Sequence, residues 1–164
     1  MSKQGRQETL RTELIAVGRQ LSAATMAFQQ AVAERLGLNP TDHTCLQLLI
    51  GAGAITAGQL SALTGLSAGA VTGIVDRLET AGFVRREKDP ADRRRVIIQP
   101  VAEEVERRVH PLFKPVTEAA EAALQQYSEK EVTLILNHLS RSLAVLQKET
   151  ARLKEEDPGS DPER

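Results

Sequence analysis

Three consecutive arginines, Arg93, Arg94 and Arg95, follow the turn sequence Asp89-Pro90-Ala91-Asp92 in this chain of 164 residues. Like charges crowded onto a short turn repel one another, so the arrangement does little for folding and suits an external anion. Asp92 can hold one arginine in a fixed pose. A pre-ordered guanidinium of that kind suits the electronegative, narrow minor groove of A·T-rich duplex DNA. A second anion-facing feature lies just upstream, where Val71, Ile74, Val75 and Leu78 fall at helical steps of three and four on one face. The opposite face presents Ala68, Gly69, Thr72, Gly73 and Asp76, which are small for a helix surface. Glycine inside a helix costs roughly 1 kcal/mol relative to alanine, so two on one exposed face call for close approach by another surface. A groove wall with its phosphates fits. The Ser67 hydroxyl and the free amides behind it can meet a phosphate as well. Arg77, flanking the same face, can clamp another with its guanidinium fork.

These groups need a scaffold that presents a helix and a loop together. Thr56 caps a short predicted helix over 57–64, Gly65 stops it, and Ser67 caps the next, which ends at Ala81-Gly82. Two short strands, 83–87 and 95–99, then flank the arginine-tipped turn. The whole of 57–99 reads as a helix–turn–helix running into a β-hairpin wing. Before it, Leu10, Leu14, Val17, Leu21 and Phe28 mark a long amphipathic helix over 8–36, closed by Gly37. Asn39-Pro40 restarts a helix to about Ile50, broken by Gly51-Ala52-Gly53. After the wing, a fifth helix starts near Pro100, with a kink or break expected at Pro111 and Pro115. Ser128-Glu129-Lys130-Glu131 is a capping box that opens a sixth helix carrying Leu136, Leu139, Leu143, Leu146 and Leu153. The fold class expected is mainly α with a small β-hairpin wing. The division is a helical lobe, 8–39 with 101–153, and a winged helix–turn–helix, 40–100, before a disordered tail, 154–164.

Composition narrows the function. The formal net charge is −1, yet the segment 85–95 carries six basic residues against three acidic ones. A local basic tip on a near-neutral body favours directed contact over indiscriminate phosphate binding. Aromatic residues make up only 2%, too few for the stacking platforms that bind single strands. No Gly-rich phosphate loop, H-E-x-x-H or Cys/His nucleophile pair is present, so an enzyme is not expected. Cys45 is the only cysteine, which excludes an internal disulfide. With no apolar signal core and no membrane-length apolar run, a cytoplasmic location is expected.

The run Asp76-Arg77-Leu78-Glu79, then Gly82-Phe83-Val84, then Arg86, Asp92 and Arg94 in R-x5-D-x-R spacing, resembles the multiple antibiotic resistance regulator (MarR) family. The likeness in helix and hairpin order extends over about residues 8–153. The resemblance implies a homodimer of winged helices that binds double-stranded DNA at a pseudo-palindromic operator, usually as a transcriptional repressor. The fourth helix, capped by Ser67 and ended by Ala81-Gly82, would be the recognition helix, with Ser67, Ala68, Gly69, Thr72, Gly73 and Arg77 as its contact residues. Arg86, Asp92, Arg93, Arg94 and Arg95 would form the DNA-binding wing. The first, fifth and sixth helices would form the dimer lobe, with Leu10, Leu14, Val17, Leu136, Leu139, Leu143 and Leu146 at the interface; packing of the first and sixth on each other within one subunit is the alternative. The chain departs from the family pattern at Pro100-Val101 and Glu104, where Leu-Thr and then Gly are common.

No cofactor is required on this reading. A small organic effector between the lobes is the expected switch. A thiol switch is not, because the first helix has no cysteine and Cys45 sits beside Leu46 as a buried residue. Zinc-responsive members place ligands on the second and fifth helices, where Asp42-His43 and Glu106 with His110 stand here, His43 and His110 being the weak candidates. Lys114, one turn after His110, weighs against a metal. A winged helix that meets protein instead of DNA is the remaining alternative.

Overall fold

The structure, a computed structural model, describes residues 3–155. Among these are six helices and one antiparallel sheet. Helix α1 is Lys3–Leu36 and α2 is Pro40–Ala52; strand β1 is Ile55–Thr56; α3 is Ala57–Thr64 and α4 is Ala68–Thr80. Strands β2, Val84–Lys88, and β3, Val96–Pro100, form the wing. Helix α5 begins as Ala102–Glu104, passes through a π-helical turn at Val105–Val109 and continues as His110–Leu124; α6 is Glu129–Glu155. The expected disordered tail falls, beyond Glu155, outside the described residues. No single helix among the described residues is long and apolar enough to cross a membrane.

Local chemistry accounts for most boundaries. The Asn39 side chain accepts the Asp42 N–H at 2.8 Å with Pro40 in the first turn, so α2 starts where a free amide finds a cap. Thr56 and Gln59 form a reciprocal capping box at the head of α3. Ser67 Oγ accepts the Ala70 N–H at 3.3 Å at the head of α4. Helix α2 runs two residues past its expected end, through Gly51 and Ala52, and stops at Gly53, whose φ of 75° suits glycine.

Contacts divide the chain into two compact units, Met1–Phe113 and Lys114–Arg164. The core of the first contains Leu46, Leu60, Val71, Leu78 and Phe83, none of which has measurable exposure. It also takes in the last turns of α1, through Val32 and Leu36, and the π-turn of α5, through Val105 and Val109. A division at 39/40 and 100/101 therefore cuts through one apolar core. The second unit holds the rest of α5 and α6. Its turn is capped by the Glu131 carboxylate, which accepts from the Ser128 N–H at 2.8 Å and hydroxyl at 2.7 Å.

The sheet order is β1-β3-β2, with β3 central. Val84 pairs with Pro100, Arg86 with Ile98 and Lys88 with Val96, while Ile55 pairs with Ile98. Both wing strands lie one residue later than expected. Strand β1 was not expected at all, because two residues are too few to show an alternation.

Pro111 and Pro115 do not break α5. Pro115 lies inside the continuous segment His110–Leu124. The irregularity falls upstream, where the His110 N–H reaches back five residues to the Val105 carbonyl. Pro111 has no N–H to give, and a π-turn just before it lets the helix take up that gap without ending.

Candidate nucleic-acid interface

Helix α4 buries Val71, Ile74, Val75 and Leu78 and turns Ala68, Gly69, Thr72 and Asp76 to solvent. Thr72 folds its hydroxyl back to donate to the Ala68 carbonyl at 2.9 Å, which keeps the face low. The glycines have no internal reason to be there. A Cβ added at Gly69 would meet nothing within 4 Å, and one at Gly73 only the Arg77 Nη1 at 3.5 Å. Alanine would fit both sites and favour the helix. Nothing packed against this face among the described residues requires glycine at either position.

Arg77 is not a free clamp at the edge of that face. Its Nε and Nη2 donate to the two carboxylate oxygens of Asp42, at 2.8 and 2.7 Å. Asp42 is almost fully buried on α2 and also accepts the Asn39 amide at 2.8 Å. A buried carboxylate needs its partner, so the first task of Arg77 is to pin α4 to α2.

Arg86 is engaged in the same way. It is half-buried at the root of the wing and bridges back to α4, to Asp76 at 2.6 Å and to Glu79; its N–H also donates to Glu79 at 3.0 Å. The pairing neutralises Asp76, the one carboxylate on the exposed face of α4, and ties β2 to that helix.

The wing tip is built by backbone bonds. Asp92 Oδ1 accepts the Arg94 N–H at 3.0 Å, and the Asp92 carbonyl accepts the Arg95 N–H at 2.9 Å. Asp89 closes the turn by donating to the Arg95 carbonyl at 3.0 Å and accepting from Ala91 at 2.8 Å. Asp92 thus orders the main chain and does not hold a guanidinium, contrary to its expected role. Arg93, Arg94 and Arg95 are all exposed, and no carboxylate among the described residues pairs with them. Three unneutralised cations stand on a main-chain-ordered loop, at the tip of a hairpin whose root Arg86 ties to α4. That is an anion-seeking surface with a shape.

The weak metal candidates are engaged separately. His43 is buried; its Nε2 lies 3.2 Å from the Gln47 amide nitrogen, which can only donate, and its ring stacks on Phe113 at 6.5 Å. Phe113 meets Phe28 edge-on at 5.4 Å. His110 pairs through Nδ1 with Glu106 at 2.9 Å. No group of three His, Cys, Asp or Glu among the described residues is placed to hold a metal. Cys45 is fully buried, and burial pushes its thiol up, away from the reactive thiolate.

Burial lowers the His43 pKa below 6.5, which gives a stability prediction. The unfolded chain then binds the extra proton first, so stability is full above pH 6.5 and falls as the pH drops through that value. The slope cannot exceed about 1.4 kcal/mol per pH unit for one proton. Thermal unfolding between pH 7.5 and 5 checks it, a range above the lowered pKa values of Glu104 and Glu131. His43→Leu is expected to flatten the dependence, and an equally steep curve in that variant would assign it elsewhere.

The structural roles of two groups were not visible in the sequence. Asp42, three residues after Asn39, has the form of an ordinary first-turn acid, and no local signal marks it as buried. Arg108 lies among Glu104, Glu106 and Arg107, which together look like a solvated helix face.

A family model described as MarR family matches residues 36–95. The uncharacterized HTH-type transcriptional regulator YcgE of Bacillus subtilis (strain 168) is 41% identical over 155 residues, covering 94% of this chain and 100% of that protein. Among solved structures, a MarR family protein from Bacillus stearothermophilus is 25% identical, with a TM-score of 0.59 over 88% of this chain and 97% of its own. The transcriptional regulator Tm0710 from Thermotoga maritima is 26% identical, with a TM-score of 0.56 over 85% of this chain and 98% of its own.

Proposed function

The chain belongs to the MarR family of helix–turn–helix transcriptional regulators, and on that premise we propose that it acts as a homodimer on a pseudo-palindromic operator. Each subunit lays the glycine-bearing face of α4 into a major groove and its wing into the flanking minor groove. The observation that carries this reading is the conjunction of an exposed Gly69 and a half-buried Gly73, where added side chains would meet little, with three exposed wing-tip arginines that no carboxylate among the described residues pairs with. Repression is the sense of regulation that the family resemblance favours. The exposed apolar stripes of α1 and α6 support the homodimer: Leu10, Leu14 and Val17 on one, Leu136, Leu139, Leu143 and Leu146 on the other, each more than half exposed. Leucine at that exposure on so many positions is unusual for a lone chain.

A small organic effector is the proposed switch. A cleft of about 290 Å³, bordered by Ile50, Ala54, Pro100, Val105 and His110, lies where the end of α2, the end of β3 and the π-turn of α5 meet. A ligand there would press on the strand that carries the wing and on the helix beneath it.

The test is a salt titration of binding to the duplex upstream of the chain's own coding region. A dimer that neutralises about six phosphates gives a log–log slope near about −5. The variant Gly69→Ala/Gly73→Ala supplies the second arm. Its unfolding temperature is expected to rise or hold, while its affinity falls because the added methyls stand off the groove. A flat salt response, or undiminished binding by the alanine variant, counts against the reading.

A further inference from the structure

We propose that Arg108, on the π-turn of α5, is the positioning residue that sets the pose of α4 and the wing on α1 and α5; this rests on the DNA-binding homodimer reading above. The case begins with two helix ends that are built alike. At the end of α1, Gly37 (φ 71°) closes a turn in which the Leu38 N–H donates to Ala33 at 2.9 Å and the Gly37 N–H to Glu34 at 3.1 Å. At the end of α4, Gly82 (φ 82°) repeats it: the Phe83 N–H donates to Leu78 at 2.9 Å and the Gly82 N–H to Glu79 at 3.0 Å. Such a turn satisfies two of the four terminal carbonyls and leaves two, among them the one just before the glycine. The carbonyls just before the two glycines are those of Leu36 and Ala81.

One guanidinium takes both. Arg108 donates from Nη1 to Ala81 at 3.0 Å and from Nη2 to Leu36 at 3.4 Å. Two helix C-termini, each the negative end of its dipole, converge on a single cation. The same guanidinium lies 4.1 Å over the centre of the Phe83 ring, which is fully buried at the root of β2. Glu104 flanks it at 3.6 Å from its own helix. One side chain therefore touches the end of α1, the end of the recognition helix and the root of the wing. A planar fork can reach two carbonyls while stacking on a ring; an ammonium cannot do all three.

Leverage makes the contact matter for DNA. A 13-residue helix is about 20 Å long. A swing of about 10° at its C-terminal pivot then moves the far end by about 3 Å, close to the rise of one base pair. Loosening Arg108 shifts the reading heads out of register without removing any phosphate contact.

The experiment first lets the full-length wild-type protein select duplexes from a randomised library, then moves the two selected half-sites one or two base pairs closer or farther. Affinity at each spacing, unfolding temperature and sedimentation are measured for wild type, Arg108→Lys and Arg108→Gln. Both variants are expected to remain folded dimers and to lose about tenfold in affinity at the selected spacing. They are expected to bind the other spacings nearly as well as the best, with an unchanged salt slope. A spacing preference as sharp as that of wild type in both variants overturns the proposal, whatever the overall loss. Unfolding of both overturns it too, because Arg108 would then serve folding alone. A wild-type protein that selects no duplex defeats the DNA-binding reading itself, a result distinct from any difference among the variants.

Discussion

Replacing Arg94 by alanine is expected to weaken operator binding by roughly 25-fold or more while the unfolding temperature stays within about 2 °C of wild type. A lost arginine–DNA contact costs at least about fivefold, and the two-fold symmetry of the dimer applies the loss twice. The fold has little stake in this side chain. Arg94 is exposed, no carboxylate among the described residues pairs with it, and its turn is closed by its N–H on Asp92, which alanine keeps. Fluorescence anisotropy on a selected duplex, with thermal unfolding of the same preparation, separates the two effects. Arg86→Ala is the informative contrast, since Arg86 bridges β2 to Asp76 and Glu79: it should lower stability and binding together. A destabilised Arg94→Ala protein would make the wing tip a structural element.

Leu139→Asp with Leu143→Asp is expected to give monomers or unfolded chain in sedimentation and circular dichroism. Both leucines are more than half exposed on α6, in line with Leu136 and Leu146. If that stripe closes against a second copy, the dimer loses four buried leucines, roughly 6 kcal/mol at the low end. That is about a ten-thousand-fold weaker association, before the cost of confining four carboxylates at an apolar seam. DNA binding should fail with it, because a single winged helix reads only one half-site. A stable dimer in the double variant would place the interface elsewhere and leave the leucine stripe to another role.

The elements were legible in the sequence where their determinants are local. Gly37, Gly53, Gly65 and Gly82 each end a helix at positive φ, and Asn39, Thr56, Ser67 and Ser128 each stand at a helix start. The α4 core positions were read from spacing alone and are all buried. Less was legible wherever a second segment was needed. Strand β1 exists only because β3 offers an edge to Ile55 and Thr56. The prolines of α5 suggest a kink or a break, because nothing local shows that a π-turn upstream can take up the missing donor.

The sequence by itself determined which segments are helix and wing, which face of α4 is apolar, and that a cluster of arginines sits on a turn. These follow from caps, left-handed glycines and periodicity, all of which act within a few residues. Only the tertiary structure decided which cations are engaged and which are open. Arg77 is held by Asp42 from 35 residues away, and Arg108 by Leu36 from 72 residues away. Arg93, Arg94 and Arg95 meet no such partner among the described residues. An ion pair depends on distance in space, which one-dimensional spacing does not report.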